Sequence, residues 1–419
     1  MPLALAAPLK LRLVEQLSGV LRRATVYADT WILSSALDGL EEIRSIPDKG
    51  EVAEELQKYI GDGAFQAFVV SEISGVFQGP GYNADAGDRL LISYDGYHDP
   101  TPLSEELVSS FCTLPWQYEV SIRLPEALVA LFEDGVHQFE LSPRHRIVSG
   151  AYLAGIRPLR GESPNGLASL FDDRSSSVGW DREAAYFQVD LSGYVTTWPT
   201  ESFMSARDDI FSFFGLGVAL GLFYSSRYTA MAEEGKASPL HVHFFNGSSW
   251  IEQKSVQLEQ HQQHGVHRLS VTEWLLDRPH EIAETLRRIG SVFGSEHGRN
   301  VLLSGRWLFD SNCGQDELLS YVQAAVAIEI LLGDEDADPS LGLTTLMANR
   351  CAYLVGRTQA DRTQLLKNFR DIYKVRSKIV HRGKSRLNNE EIRLFYVLQS
   401  IIRSVINVEQ RMLERAEQG

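Results

Sequence analysis

The chain has 419 residues, a formal net charge of −15, 44% hydrophobic residues and 23% charged ones. These values suit a globular protein of two or three domains and exclude one that attracts nucleic acid by its overall charge, so any such contact has to be a local basic patch. The three cysteines, Cys112, Cys313 and Cys351, are too few and too scattered for a disulfide framework or a paired-thiol metal site, and fit a reducing cytoplasm.

The first residues, MPLALAAPLKLRLVEQL, place the basic side chains after the short apolar run, the reverse of a secretory leader. Residues 1–60 mix apolar and charged positions at helical spacing, as in EVAEELQKYI. From about 65 to 200 the texture predicts short strands in AFQAFVVSEI, YEVSIRL, HRIVSGAYL and AAYFQVDL. Turn-rich pieces, GPGYNADAGD and RGESPNG, separate them. Helix returns over 201–232 around IFSFFGLGVALGLFYSS (210–226). That run carries no charge, but it has only 17 residues and three glycines. A membrane span needs about 20 apolar residues, so a buried core helix is the reading. LHVHFF at 240–245 reads as a strand, and a mixed region leads to Gly314. From Asp316 onward the pattern is helical: 317–332, closed by Gly333; the acidic loop GDEDADPS; 341–355; 362–381, with Gly383 at the C-cap position; and roughly 390–415, capped within NNEE. Leu394, Leu398, Ile401, Val405 and Met412 keep a 3.6-residue period in the last helix. The expected class is α+β: a mixed, mainly β N-terminal region (1–200), a mixed, partly helical middle (201–312) and a C-terminal bundle of about four helices (313–419).

Several motifs come close and fail. Gly383-Lys384-Ser385 resembles the end of a phosphate-binding loop, but the leading glycine position is Lys378. Gly215 and Gly217 begin a dinucleotide fingerprint whose third glycine comes one place late. Asp334, Asp336 and Asp338 open a calcium loop that then has Pro339 for its glycine and Thr345 for its glutamate. GESPNG is one residue too long for a serine-hydrolase elbow. His241, His243, His261, His264 and His267 fall close together, a pattern open to a metal site or to ordinary hydrogen-bonding histidines.

The informative segment is RDIYKVRSKIVHRGKSR, residues 370–386, with seven Lys/Arg and a single acid, Asp371. On a helix, Ile372, Tyr373, Val375, Ile379 and Val380 make an apolar arc. Arg370, Lys374, Lys378 and Arg382 fall four apart in one basic stripe, with Lys384 and Arg386 just beyond. Like charges at that spacing weaken a helix by a few tenths of a kcal/mol per pair, which an anionic partner would offset; a plain solvated face is the alternative. Arg376 lies inside the apolar arc, where an unpaired charge is costly. The helix at 317–332 has a matching anomaly: its stripe Leu318, Val322, Ala325, Val326 ends in Glu329. The two are expected to meet within about 8 Å, either as a buried ion pair without chemistry or as part of a site. His381 follows Arg376 by five positions, about 140° around the helix, so either the helix end or a two-fold dimer would have to bring them into one cleft. Histidine suits proton transfer near neutral pH and arginine suits an anionic phosphate. The pair could take a proton from a ribose 2′-hydroxyl and stabilise the phosphorane without a metal.

Arg376-Ser-Lys-Ile-Val-His381, preceded by Tyr373 and followed by Gly383, resembles the R-x4–6-H motif of HEPN domains, in particular the ApeA-like HEPN group of bacteria. AIEILLG in the first helix and NRCAYLVG, containing Arg350, in the second support the resemblance, which covers about residues 316–415. It implies a homodimer whose motif helices line a shared cleft, and a metal-independent ribonuclease of anti-phage or abortive-infection defence with Arg376 and His381 as the catalytic pair and Ser377, Glu329 and Tyr373 in support. No cofactor, no metal and no membrane is implied; RNA, tRNA among the candidates, is the substrate. Active members often carry Asn, Asp or His after the arginine, where this chain has Ser377. Some members are inactive dimerisation or RNA-binding modules, the competing reading. Residues 1–310 are expected to sense a phage-derived trigger and hold the nuclease off until infection.

Overall fold

A computed structural model of the chain describes residues 2–32, 34–42, 51–77, 79–159, 179–196, 199–225, 239–314, 316–333 and 343–418. The RGESPNG turn, most of the GDEDADPS loop and the first two residues of the 341–355 helix lie outside them. The chain divides into two compact units, one of residues 1–118 and 191–205 and the other of 119–190 and 206–419.

The first unit is mainly helical, in line with the helical spacing of residues 1–60 and against the strand expected in AFQAFVVSEI. It contains α1 (Ala7–Leu21), β1 (Thr25–Tyr27), β2 (Trp31–Ile32), α2 (Glu51–Tyr59), α3 (Ala64–Val76), β3 (Asp88–Leu90) and α4 (Thr101–Phe111). The run AFQAFVVSEI is α3, not a strand. Phe65, Phe68, Val69 and Ile73 are fully buried, and their spacing of three and four matches a helical face. Their β-favouring composition yields to packing: Phe65 and Phe68 set their rings edge-on to Phe111 of α4 at 5.1 and 5.2 Å. The three strands form one small sheet in the order β2-β1-β3.

The second unit is built on a six-stranded sheet. Its strands are β4 (Trp116–Arg123), β5 (Gln138–Ser142), β6 (His145–Ser149), β7 (Ala185–Gly193), β9 (Leu240–Phe245) and β10 (Trp250–Val256), in the order β10-β9-β4-β7-β6-β5. Here the strand expectations for YEVSIRL, AAYFQVDL and LHVHFF agree with the structure. HRIVSGAYL splits: β6 ends at Ser149, whose side chain accepts the Tyr152 amide and starts the short α5 (Gly150–Ile156). The apolar run at 210–226 also splits. The long α6 (Glu201–Leu220) stops at Gly221, held at φ +85°, and Phe223–Ser225 is a strand, β8. Gly215 is a packing glycine, because a Cβ there would lie 1.7 Å from the Gly305 carbonyl oxygen. Among the described residues, no helix is long and apolar enough to cross a membrane.

One sheet face is apolar. Phe187 of β7 stacks on Phe213 of α6 at 4.2 Å, and His145 meets Phe293 at 4.3 Å. Phe293 belongs to α8 (Pro279–Gly294), which follows the short α7 (Gln260–His267) and β11 (Leu269–Val271). The helices α9 (Arg299–Cys313), α10 (Glu317–Leu332), α11 (Leu343–Val355), α12 (Gln359–Arg382) and α13 (Asn389–Gln418) complete the unit. The last four are the helices expected from the sequence. α13 is tied to its neighbours by buried amides: Gln399 donates to Ser311 and Asn312 of α9 (3.2 and 3.3 Å), and Arg288 of α8 donates to Gln410 and Asn407 (3.1 and 3.0 Å). On α13 the period slips at its end, where Leu413 is buried and Met412 is exposed.

Candidate active site

α12 starts one turn earlier than its apolar period suggests. Thr358 accepts the Asp361 amide at 3.1 Å and Asp361 accepts the Thr358 amide at 3.0 Å, a capping box that satisfies two otherwise unpaired donors. The T-x-x-D signal for it is present in the sequence. The helix then runs unbroken through Arg382, and Gly383 ends it in the left-handed conformation at φ 59°. His381 therefore lies within the helix, five positions from Arg376, and no helix end swings it toward the arginine. That removes one of the two routes by which the pair would meet.

Arg376 does meet Glu329. Its Nε lies 3.5 Å from Glu329 Oε1, with the two side chains 29% and 26% exposed. The geometry is that of an ion pair and not of a hydrogen bond: Arg376 Nε is buried without a hydrogen-bond acceptor. Tyr373, one turn back, shares the carboxylate. Burial first, then Glu329, which accepts its hydrogen bond, pushes the Tyr373 hydroxyl well above its ordinary range. The same hydroxyl faces Met347 Sδ at 3.7 Å. Tyr321 of α10 donates to the Ile372 carbonyl at 3.1 Å, fastening α10 to α12 beside this pair. Glu329 is half-buried, as are Leu318, Val322 and Val326; the fully buried face of α10 is Tyr321, Ala324, Ala325, Ile328 and Leu332. The helix is apolar on most sides, so its period alone misplaced the deepest face. Arg350 of α11 caps the same helix, donating to the Leu332 and Gly333 carbonyls at 3.1 and 3.2 Å.

The other candidates divide by face. Tyr373, Ser377 and His381 fall on one four-residue line, and Ser377 and His381 are exposed. Arg370, Lys374, Lys378 and Arg382 are all exposed, as the stripe requires. Lys374 pairs with Asp371 at 2.9 Å. Arg386 is exposed, whereas Lys384 is engaged at the start of α13, 3.0 Å from Glu391. There Asn388 and Glu391 exchange backbone amides at 2.9 and 3.0 Å, the Asn cap read from NNEE. Burial opposes ionisation of Glu391, but the Asn388 amide and Lys384 outweigh it and hold the carboxyl below its ordinary range. Val380, assigned to the apolar arc, is 48% exposed, a correction: it lies one turn beyond Arg376, where no neighbouring helix covers it fully.

The clustered histidines go separate ways. His241 faces Glu252 at 3.1 Å, His261 faces Glu259 at 3.5 Å, and His243, fully buried, hydrogen-bonds the Pro158 carbonyl at 3.2 Å. Desolvation lowers His243 to about 4. Among the described residues no group of three or more His, Cys, Asp or Glu is arranged to hold a metal ion.

Sequence reasoning missed a charged network on the polar face of the large sheet. Glu119, 3% exposed, is held by Arg157 and by Arg146 at 2.8 Å, and Arg146 also binds Asp190 at 2.7 Å. The signal was a glutamate in the middle of the strand YEVSIRL. Its charges are internally paired, so it reads as a polar core of the sheet. Comparison with protein-family models, curated proteins and solved structures found no match to this chain.

Proposed function

We propose that the C-terminal helices form a HEPN-type, metal-independent endoribonuclease with Arg376 and His381 as its catalytic pair. The observation that carries this reading is Arg376: a half-buried guanidinium, held by Glu329, whose Nε is left without a hydrogen-bond acceptor on a helix that also exposes His381 and a basic stripe. The side chain is still 29% exposed, so with Nε turned to Glu329 its terminal nitrogens are the ones that would meet a phosphate oxygen. His381 takes the proton of a ribose 2′-hydroxyl, the 2′-oxygen attacks the adjacent phosphorus, the P–O5′ bond breaks and the departing 5′-oxygen gains a proton. Arg376 stabilises the charge on the phosphorane. Arg370, Lys374, Lys378, Arg382 and Arg386 steer the RNA backbone. Because one unbroken helix separates the two catalytic side chains by about 140°, the reading requires two copies meeting along α12. The exposed Val380 beside Arg376 suits such a contact. Residues 1–310 would serve as the region that senses a phage-derived trigger, and abortive infection is the setting this implies.

The test is expression of the full chain and of His381→Ala in bacteria, paired with labelled RNA and a chelator in vitro. The expected result is toxicity and cleavage to 2′,3′-cyclic phosphate ends in the wild type, both lost in the variant. Equal inertness of both toward total RNA during phage challenge overturns the reading.

A second reading has its own support. The Arg376–Glu329–Tyr373 cluster also suits a purely structural ion pair in a dimerisation or RNA-binding module. In that case Arg376→Ala disturbs folding or assembly while His381→Ala changes nothing.

A further inference from the structure

The small sheet of the first unit presents a face with its own chemistry. Trp31, Tyr27 and Asp88 are aligned across β2, β1 and β3, with Thr25 and Leu90 paired in the neighbouring row. Side chains alternate along a strand, so Val26, Ile32 and Arg89 belong to the opposite side. There Val26 and Ile32 are buried and Arg89 reaches the buried Asp29 at 3.6 Å. On the outer face Tyr27, Trp31 and Leu90 are each more than 40% exposed, and so is Tyr82 from the loop that precedes β3. Trp31 is the middle ring: its centroid lies 6.4 Å from Tyr27 and 5.5 Å from Tyr82.

The rings stand on a stiff frame. Ala28 and Asp29, between Tyr27 and Trp31, adopt φ of 47° and 57°, a region unfavourable for residues with a side chain. Tyr94 donates to Asp29 at 2.6 Å, the Asn83 amide donates to the Ala28 carbonyl at 3.0 Å, and Gly79 is pressed so close that a Cβ would meet the Asp29 carbonyl oxygen. The positive φ values are those that a tight hairpin between β1 and β2 demands, and these contacts fix the turn that carries Tyr27 and Trp31.

Charge selects the occupant. Asp88 stands in the ring row, and Asp85 is exposed in the loop that carries Tyr82. The neighbouring cation, Arg89, is committed to Asp29 on the other side. Cations lie over Trp250, Phe211 and Trp274, and among the described residues none lies over Tyr27, Trp31 or Tyr82. Aromatic faces attract cations and carboxylates reinforce them, while the net charge of −15 repels polyanions. We propose that this face docks a basic polypeptide segment, with one arginine or lysine side chain over the Tyr27–Trp31–Tyr82 rings and the carboxylate of Asp88, beside Tyr27, attracting the segment's positive charge.

The test is fluorescence anisotropy of the full chain with a labelled nonapeptide of alternating arginine and glycine, beside an oligouridylate and a neutral maltooligosaccharide. The expected result is peptide binding that weakens about tenfold in Trp31→Ala and in Tyr82→Ala. Asp88→Asn should weaken it about threefold and flatten its salt dependence. Tyr82 is a loop residue, so Tyr82→Ala with an unchanged melting curve separates loss of the site from loss of the fold. Peptide binding equal in the wild type and Tyr82→Ala overturns the proposal, because the attraction is then to net charge alone. So does preferential binding of the oligouridylate or the oligosaccharide to these rings.

Discussion

Glu329 of α10 and Arg376 of α12 face each other across the helix pair at 3.5 Å, each about one quarter exposed. Neither charge has another ion-pair partner among the described residues, so each depends on the other to remain in place. Glu329→Gln is therefore expected to destabilise the protein by roughly 1–2 kcal/mol, discounted from the cost of a fully buried pair because water still reaches both groups. Glu329→Gln combined with Arg376→Met should cost less than the sum of the single changes. Urea unfolding of the four chains measures the coupling, and strict additivity would show that the pair contributes nothing.

His381 is exposed, so His381→Ala should change the unfolding free energy by no more than about 0.5 kcal/mol. Under the ribonuclease reading the same change lowers cleavage by about a hundredfold or more. A stability loss comparable to that of Arg376→Ala would mark His381 as structural.

Gly383 ends α12 at φ 59°, with open space around the position a Cβ would take. Gly383→Ala is expected to cost about 1 kcal/mol, purely through the left-handed backbone. Gly383→Asn should cost less, because Asn tolerates that region. Thermal melts rank the two; equal stability of the alanine variant and the wild type contradicts the cap geometry.

The basic residues separate by what they touch. Under the ribonuclease reading, Arg370→Ala and Arg382→Ala should each lower the salt dependence of RNA binding by about 0.7 in log–log slope, at little cost to stability. Lys384→Ala should instead loosen the start of α13, where Glu391 loses a partner, costing about 0.5 kcal/mol. Binding titrations over a range of salt distinguish contact from cap.

His243 is fully buried and lowered by desolvation to about 4 from an ordinary 6.5. Between these values the unfolded chain binds the proton and the folded chain does not. Stability is therefore complete above pH 6.5 and falls as the pH drops toward 4. The loss attributable to this group is up to roughly 3 kcal/mol. His243→Phe should show a shallower acid limb in urea midpoints measured across that window, and an unchanged limb would show that the imidazole is not buried neutral.

The sequence alone was enough for features set by short-range physics. Gly383 as a left-handed cap, the Asn cap before α13, the four C-terminal helices and the conflict between Arg376 and its apolar surroundings were all legible, because each depends on residues within one or two turns. Glu329 could be named as the partner because a charge on an apolar stripe is costly wherever the helix packs. Tertiary structure decided the rest. The run AFQAFVVSEI became α3 because burying Phe65 and Phe68 against Phe111 outweighs β propensity. The deepest face of α10, with Tyr321 and Ile328, was hidden by a helix that is apolar on most sides. The Trp31–Tyr27–Asp88 row exists only through strand register, which joins residues about sixty positions apart. Side-chain charge and backbone propensity act locally and leave their mark on the sequence, whereas pairing and burial depend on which distant surfaces exclude water together.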